Sequence, residues 1–128
     1  MRARRVQSFF RAAVLTSYEN RCAITGLAVP ELLTASHIIP WKVSVERRAD
    51  PRNGLCLNAL FDRAFDRGLI TIDEKLRVVV SSRLRTAASE ADLDCSVQAA
   101  HGRELRLPKR LAPDPIALTY HRETVFQG

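Results

Sequence analysis

The sequence predicts an α+β domain whose centre is a β-hairpin followed by a helix. Three observations point there. Two short apolar runs flank a polar, turn-rich loop, helical spacing begins directly after the second run, and two further β-prone runs stand only two polar residues apart. An amphipathic helix is expected before this core, with a second β-hairpin and a C-terminal helix after it. A chain of 128 residues is long enough for one domain and too short for two.

Each element has its own signal. Between Arg4 and Tyr18, the residues Val6, Phe9, Phe10, Ala13, Val14 and Tyr18 recur at helical spacing, while Arg5 and Arg11 fall off that stripe. Asn20 to Gly26 turns the chain. Glu31 to Ile39 is expected to be extended and to close on Pro40. Residues 42–52 form a basic loop with Lys42, Arg47, Arg48 and Arg52, and Asp50-Pro51 and Asn53-Gly54 mark its turn. Gly54 to Leu57 supplies the second strand. Asn58 can cap the next helix by accepting a free first-turn amide. Leu60 and Ala64, with Phe61 and Phe65, are its expected buried face, and Gly68 suits a left-handed stop. Leu69–Asp73 and Leu76–Ser81 read as an antiparallel hairpin around Glu74-Lys75. Thr86 to Ala100 reads as weak helix or loop, acidic at Glu90, Asp92 and Asp94. Leu105 to Pro108 alternates briefly, and Asp114-Pro115 opens a last helix towards Phe126.

Composition narrows the function classes. The net charge of +6 and a pI of about 9.9 suit a polyanionic partner such as nucleic acid. No apolar run approaches the roughly 20 residues that a membrane-spanning helix needs, and the basic N-terminus does not read as a signal peptide. Three cysteines, Cys22, Cys56 and Cys95, contain no CxxC pair. That pattern argues for reduced thiols and a cytoplasmic location, and against a zinc-ribbon site.

The chemistry concentrates between Leu32 and Asp73. His37 is the candidate general base, because an imidazole titrates near neutral pH. Asp62 and Asp66 lie four apart, on one helix face, where their repulsion is unfavourable unless a cation sits between them. Such oxygen ligands favour magnesium or manganese. Arg63 and Arg67 form a second stripe. Together with Arg47, Arg48 and Arg52 they are the candidate nucleic-acid contacts, contributing affinity rather than sequence readout. Trp41 suits a packing anchor better than a base-stacking role.

On these residues the chain resembles the HNH endonucleases of the ββα-metal type. The resemblance is carried by Arg21-Cys22-Ala23-Ile24-Thr25-Gly26, Ala35-Ser36-His37-Ile38-Ile39-Pro40-Trp41, Arg52-Asn53-Gly54-Leu55-Cys56-Leu57 and Phe65-Asp66-Arg67-Gly68-Leu69-Ile70, with weaker support at 102–108 and 120–123. It implies that His37 activates water. Asn53 would be the middle motif residue, orienting the histidine or the hairpin. Asp62 stands where relatives often carry a histidine, and Ser36 where many carry an acidic or histidine ligand. The resemblance implies a single nuclease domain over 1–128 with its core at about 20–73, whether whole or part of a larger protein. It also implies double-stranded DNA as substrate and a divalent metal, magnesium or manganese ahead of nickel or zinc. A homodimer and a role in restriction or anti-phage defence accord with it. The alternative is a non-catalytic nucleic-acid-binding module that keeps the fold.

Overall fold

A computed structural model describes residues 2–87 and 96–128. Helix α1 (Arg2–Ser17) is followed by a short 3-10 turn (Pro30–Leu32) and strand β1 (Leu33–His37). A second 3-10 turn (Pro51–Asn53) leads into β2 (Gly54–Asn58) and helix α2 (Ala59–Asp66). Strands β3 (Ile70–Ile72) and β4 (Val78–Val80) come next, then short helices α3 (Ser82–Ala87) and α4 (Ser96–Ala99). Helix α5 (Pro115–Tyr120) continues into a wider π turn (His121–Val125).

Among the described residues there are two antiparallel hairpins, β1–β2 and β3–β4. The first pairs Leu33 with Asn58 and His37 with Gly54, so the two strands match end to end. Helix α1 and helix α2 both pack on this hairpin. The buried core includes Phe10 and Val14 of α1, Leu55 and Leu57 of β2, and Phe61 and Phe65 of α2. Each such burial contributes about 1.5–3 kcal/mol.

Local signals act where they were expected. The Asn58 side chain accepts the Phe61 amide at 3.0 Å and starts α2. Gly68 ends it at φ +74°, and a Cβ there would come within 2.1 Å of the Val125 carbonyl oxygen. No other residue fits that position. Asp114 caps α5 through the Ile116 amide. The segment around Glu104 lies beside β4, bridged to Arg77.

Three expectations are corrected, and one further element was not anticipated. Phe9 is 58% exposed, on a shallow groove with Ala13 and Leu111, and Leu15 is buried instead. The first segment has more apolar residues than one helix face holds, and the 10–14 pair took the core. Leu60 is 53% exposed for the same reason, since the buried face of α2 runs through Phe61, Ala64 and Phe65. The first strand begins at Leu33 rather than Glu31, because Pro30–Leu32 forms the 3-10 turn, and it ends at His37. Ser82–Ala87 is helical, which the sequence did not suggest. Glu90, Asp92, Asp94 and Cys95 lie outside the described residues.

Candidate active site

The mouth of the β1–β2 hairpin is closed by Asn53. Regular pairing ends at His37 and Gly54, and the Ile38 amide still donates to the Asn53 carbonyl at 2.9 Å. At Ile39 the Asn53 side chain takes over as a surrogate peptide. Its Oδ1 accepts the Ile39 amide at 2.9 Å and its Nδ2 donates to the Ile39 carbonyl at 3.0 Å. Asn53 is 1% exposed, so both its side-chain groups are committed to this clamp. Past it the strands part to admit the basic loop.

His37 is the last residue of β1 and is half-buried. One ring face stacks on Phe10 of α1, with centroids 3.8 Å apart and planes 9° apart. Trp41 meets it edge-on at 5.7 Å. Its Nε2 lies 3.1 Å from the Arg48 carbonyl oxygen. A carbonyl only accepts, so Nε2 carries the proton and Nδ1 keeps the lone pair. Burial holds the imidazole pKa below its ordinary 6.5, against the opposing pull of the Arg48 carbonyl. The ring is therefore mainly neutral at pH 7, with the free lone pair on Nδ1.

Asp62 reaches β1 from α2. Ser36 donates its hydroxyl to Asp62 Oδ1 at 2.5 Å. Burial raises the Asp62 pKa, the Ser36 bond opposes it, and the charge of Asp66 adds to the rise. Asp66 itself is exposed, 3.9 Å from Arg67 Nε. Consecutive strand residues point to opposite faces. Ser36 thus turns towards α2 and Asp62, and His37 turns towards α1 and Phe10. The imidazole and the carboxylate flank the end of β1 from its two sides.

The five candidate arginines separate into two groups. Arg47 pairs with Asp114 at 2.7 Å, which holds the Asp114 carboxyl below its usual range. Arg48 donates to the Trp41 carbonyl at 2.8 Å and lays its guanidinium 4.6 Å over the indole. These two fasten the loop around His37. Arg52 is exposed and touches the Ala112 carbonyl at 3.4 Å. Arg63 and Arg67 are exposed on α2 beside the two aspartates.

Among the described residues no group of three or more His, Cys, Asp or Glu side chains gathers as a metal cluster. The donors beside His37 are the Asp62 carboxylate and the Ser36 hydroxyl, both oxygen. Such a set matches a hard cation that keeps most of its water shell, and not a tetrahedral nitrogen and sulfur site. Cys22 and Cys56 are buried free thiols, and burial pushes Cys56 up to about 12.

The sequence did not suggest Phe10 as a partner of the imidazole or Ser36 as the partner of Asp62. It also missed His121, which is 1% exposed and stacks on Phe65 at 3.8 Å. Its Nε2 donates to the Phe65 carbonyl at 2.8 Å and its Nδ1 accepts from Thr71 at 2.7 Å, tying the end of α2 to β3. Only its place in the 120–123 resemblance hinted at a role.

Residues 22–73 match the HNH endonuclease family model. A modification-dependent TagI restriction endonuclease has a similar structure, with a TM-score of 0.62 over 90% of this chain at 22% sequence identity. At that identity the likeness is one of fold, and the chain spans 36% of that protein's length. No curated protein matches the chain in sequence. HNH nucleases generally use a divalent metal.

Proposed function

Since residues 22–73 match the HNH endonuclease family model, we propose that the chain hydrolyses DNA phosphodiesters with His37 as general base. The observation that carries this reading is the fixed tautomer: the Arg48 carbonyl holds the Nε2 proton, so Nδ1 is the nitrogen that accepts a proton from water. In-line displacement puts the attacking and leaving oxygens on opposite sides of phosphorus. A phosphate across the end of β1 would meet the base on the α1 side and the acid on the α2 side. That arrangement suits the split between His37 and Asp62.

A divalent cation bound at Asp62, with Ser36 and Asp66 beside it, would supply charge neutralisation at the phosphate and leaving oxygen. Oxygen donors favour magnesium or manganese over nickel or zinc. Asn53 acts through the hairpin mouth, holding the loop that carries Arg48. Arg63, Arg67 and Arg52 contact backbone phosphates, while Arg47 and Arg48 contribute by shaping the loop. Double-stranded DNA fits the net charge of +6.

The domain over 1–128 would serve within a longer protein, a reading supported by its 36% share of the TagI structure. That neighbour is a modification-dependent restriction endonuclease, which supports a role in restriction or defence, and two copies would let one active site each cut both strands. Free thiols at Cys22 and Cys56 accord with a cytoplasmic setting. Among the described residues no helix is long and apolar enough to cross a membrane.

Supercoiled plasmid incubated with magnesium or manganese tests the reading against His37→Ala. Nicking by the parent alone supports it. One observation favours the non-catalytic alternative, namely that Asp62 is already engaged by Ser36. DNA binding without cleavage, equal in both proteins, would establish that alternative.

A further inference from the structure

We propose that Phe10, on a helix outside the family-matched segment, is a positioning residue for His37, seated against the bare backbone of Gly54. The proposal rests on His37 being the general base. Four observations converge on it. The Phe10 and His37 rings are nearly parallel and in van der Waals contact, with 3.8 Å between centroids. His37 and Gly54 are direct partners in the hairpin register, so their Cα–Cβ directions share one face of the sheet. A Cβ on Gly54 would sit 2.7 Å from Phe10 Cζ and 2.6 Å from Val14 Cγ2. Yet Gly54 has φ −133° and ψ 147°, extended backbone open to any residue. What this position requires of glycine is therefore space for Phe10 rather than an unusual backbone.

The fourth observation is how α1 is held. Arg11, next to Phe10, donates its guanidinium to the Leu33 carbonyl at 2.6 Å and to the Pro30 carbonyl at 3.1 Å. These contacts fasten the helix to the strand that carries His37. The imidazole is then restrained on three sides: its face by Phe10, its edge by Trp41 and its Nε2 by the Arg48 carbonyl. Stacked rings favour a definite relative plane, which an aliphatic side chain of similar volume does not impose. The plane of His37 sets where Nδ1 points, and small errors in that direction are costly to proton transfer.

The test combines imidazole nitrogen NMR across a pH series with steady-state plasmid cleavage. The variants are Phe10→Leu, Gly54→Ala and Val14→Ala. Phe10→Leu should mix the His37 tautomers, lower kcat by roughly 10- to 100-fold with KM unchanged, and move the acidic limb of the pH profile upward. Gly54→Ala, whose added methyl would crowd the same ring, should do likewise. Val14 packs against Gly54 as Phe10 does, but the ring stacked on the imidazole is that of Phe10, so Val14→Ala should lower Tm and leave the His37 signals and kcat in place. Parental His37 signals and a parental pH profile in Phe10→Leu would overturn the proposal. A parent that never cleaves, while Phe10→Leu still mixes the tautomers, would instead overturn the nuclease reading and uphold the restraint.

Discussion

Ser36 donates a 2.5 Å hydrogen bond to the carboxylate of Asp62, joining β1 to α2 one residue before the imidazole of His37. The bond places an acid beside the base without an ion pair to neutralise it. Among the described residues the ion pairs are Arg47–Asp114, Arg67–Asp66 and Arg77–Asp73, none of which involves Asp62.

That carboxylate is a folding cost. The Asp62 pKa is raised in the folded state, chiefly by burial. A raised carboxyl favours the fold when protonated, so stability from this group is gained as pH falls through the raised pKa and lost as pH rises above it. Asp62→Asn should therefore fold at pH 7 at least as stably as the parent, with Tm higher by on the order of a degree or two. Cleavage and manganese binding by calorimetry should both be lost. A fall in Tm would show that the charge is not a cost.

His37→Ala should lower the cleavage rate by roughly 10²–10⁴-fold. Because the imidazole pKa is held below 6.5 by burial, the acidic limb of the parental kcat/KM profile should be centred below pH 6.5. Initial rates measured between about pH 5 and 8 decide this. A limb above 6.5 would contradict the buried, neutral ring.

Asn53→Ala should strand both peptide groups of Ile39 at a buried mouth. Each unpaired buried group costs about 1–3 kcal/mol. Urea denaturation should show a loss of about 2 kcal/mol or more. A near-neutral effect would mean that the loop has another anchor.

His121 gives the fold an acid limit. Burial lowers its pKa from 6.5 to about 4, against the opposing pull of the Phe65 carbonyl and Asp66. The unfolded chain binds this proton more readily, so the stability is present above pH 6.5 and lost as pH falls towards 4. The full effect is on the order of 3 kcal/mol. The urea midpoint should drop across that window in the parent, and the drop should flatten in His121→Phe even if that variant is less stable throughout.

DNA affinity should separate the arginines. Arg63→Ala and Arg67→Ala remove exposed cations and should each reduce the salt slope of binding by about 0.9 for every lost phosphate contact. Arg47→Ala breaks the bond to Asp114 and should lower Tm with little change in that slope. Fluorescence anisotropy across a salt series measures both, and equal slopes for all three variants would remove the distinction.

Much of the fold was legible because its signals are local. Asn58, Gly68 and Asp114 each act on backbone within a few residues, and caps and left-handed stops depend on little else. The hairpin around Glu74-Lys75 was readable for the same reason. Phe9 and Leu60 were misjudged because several apolar residues competed for one buried stripe. The internal bonds of the basic loop were not legible, since nothing local distinguishes the pairing of Arg47 with Asp114 from the solvent exposure of Arg63. The candidate site was legible as residue types at His37, Asn53 and Asp62, but their mutual geometry was not.

The sequence by itself determined that this chain carries a base, a hairpin asparagine and a helical acid in the order of a known nuclease family. That information lies in residue identity and spacing. Only the tertiary structure decided that His37 and Ser36, the partner of Asp62, turn to opposite sides of β1, that Asn53 serves as a peptide surrogate, and that Phe10 lies under the imidazole. Those outcomes depend on strand register and on which helix packs against which face, and such contacts join segments that share no local signal.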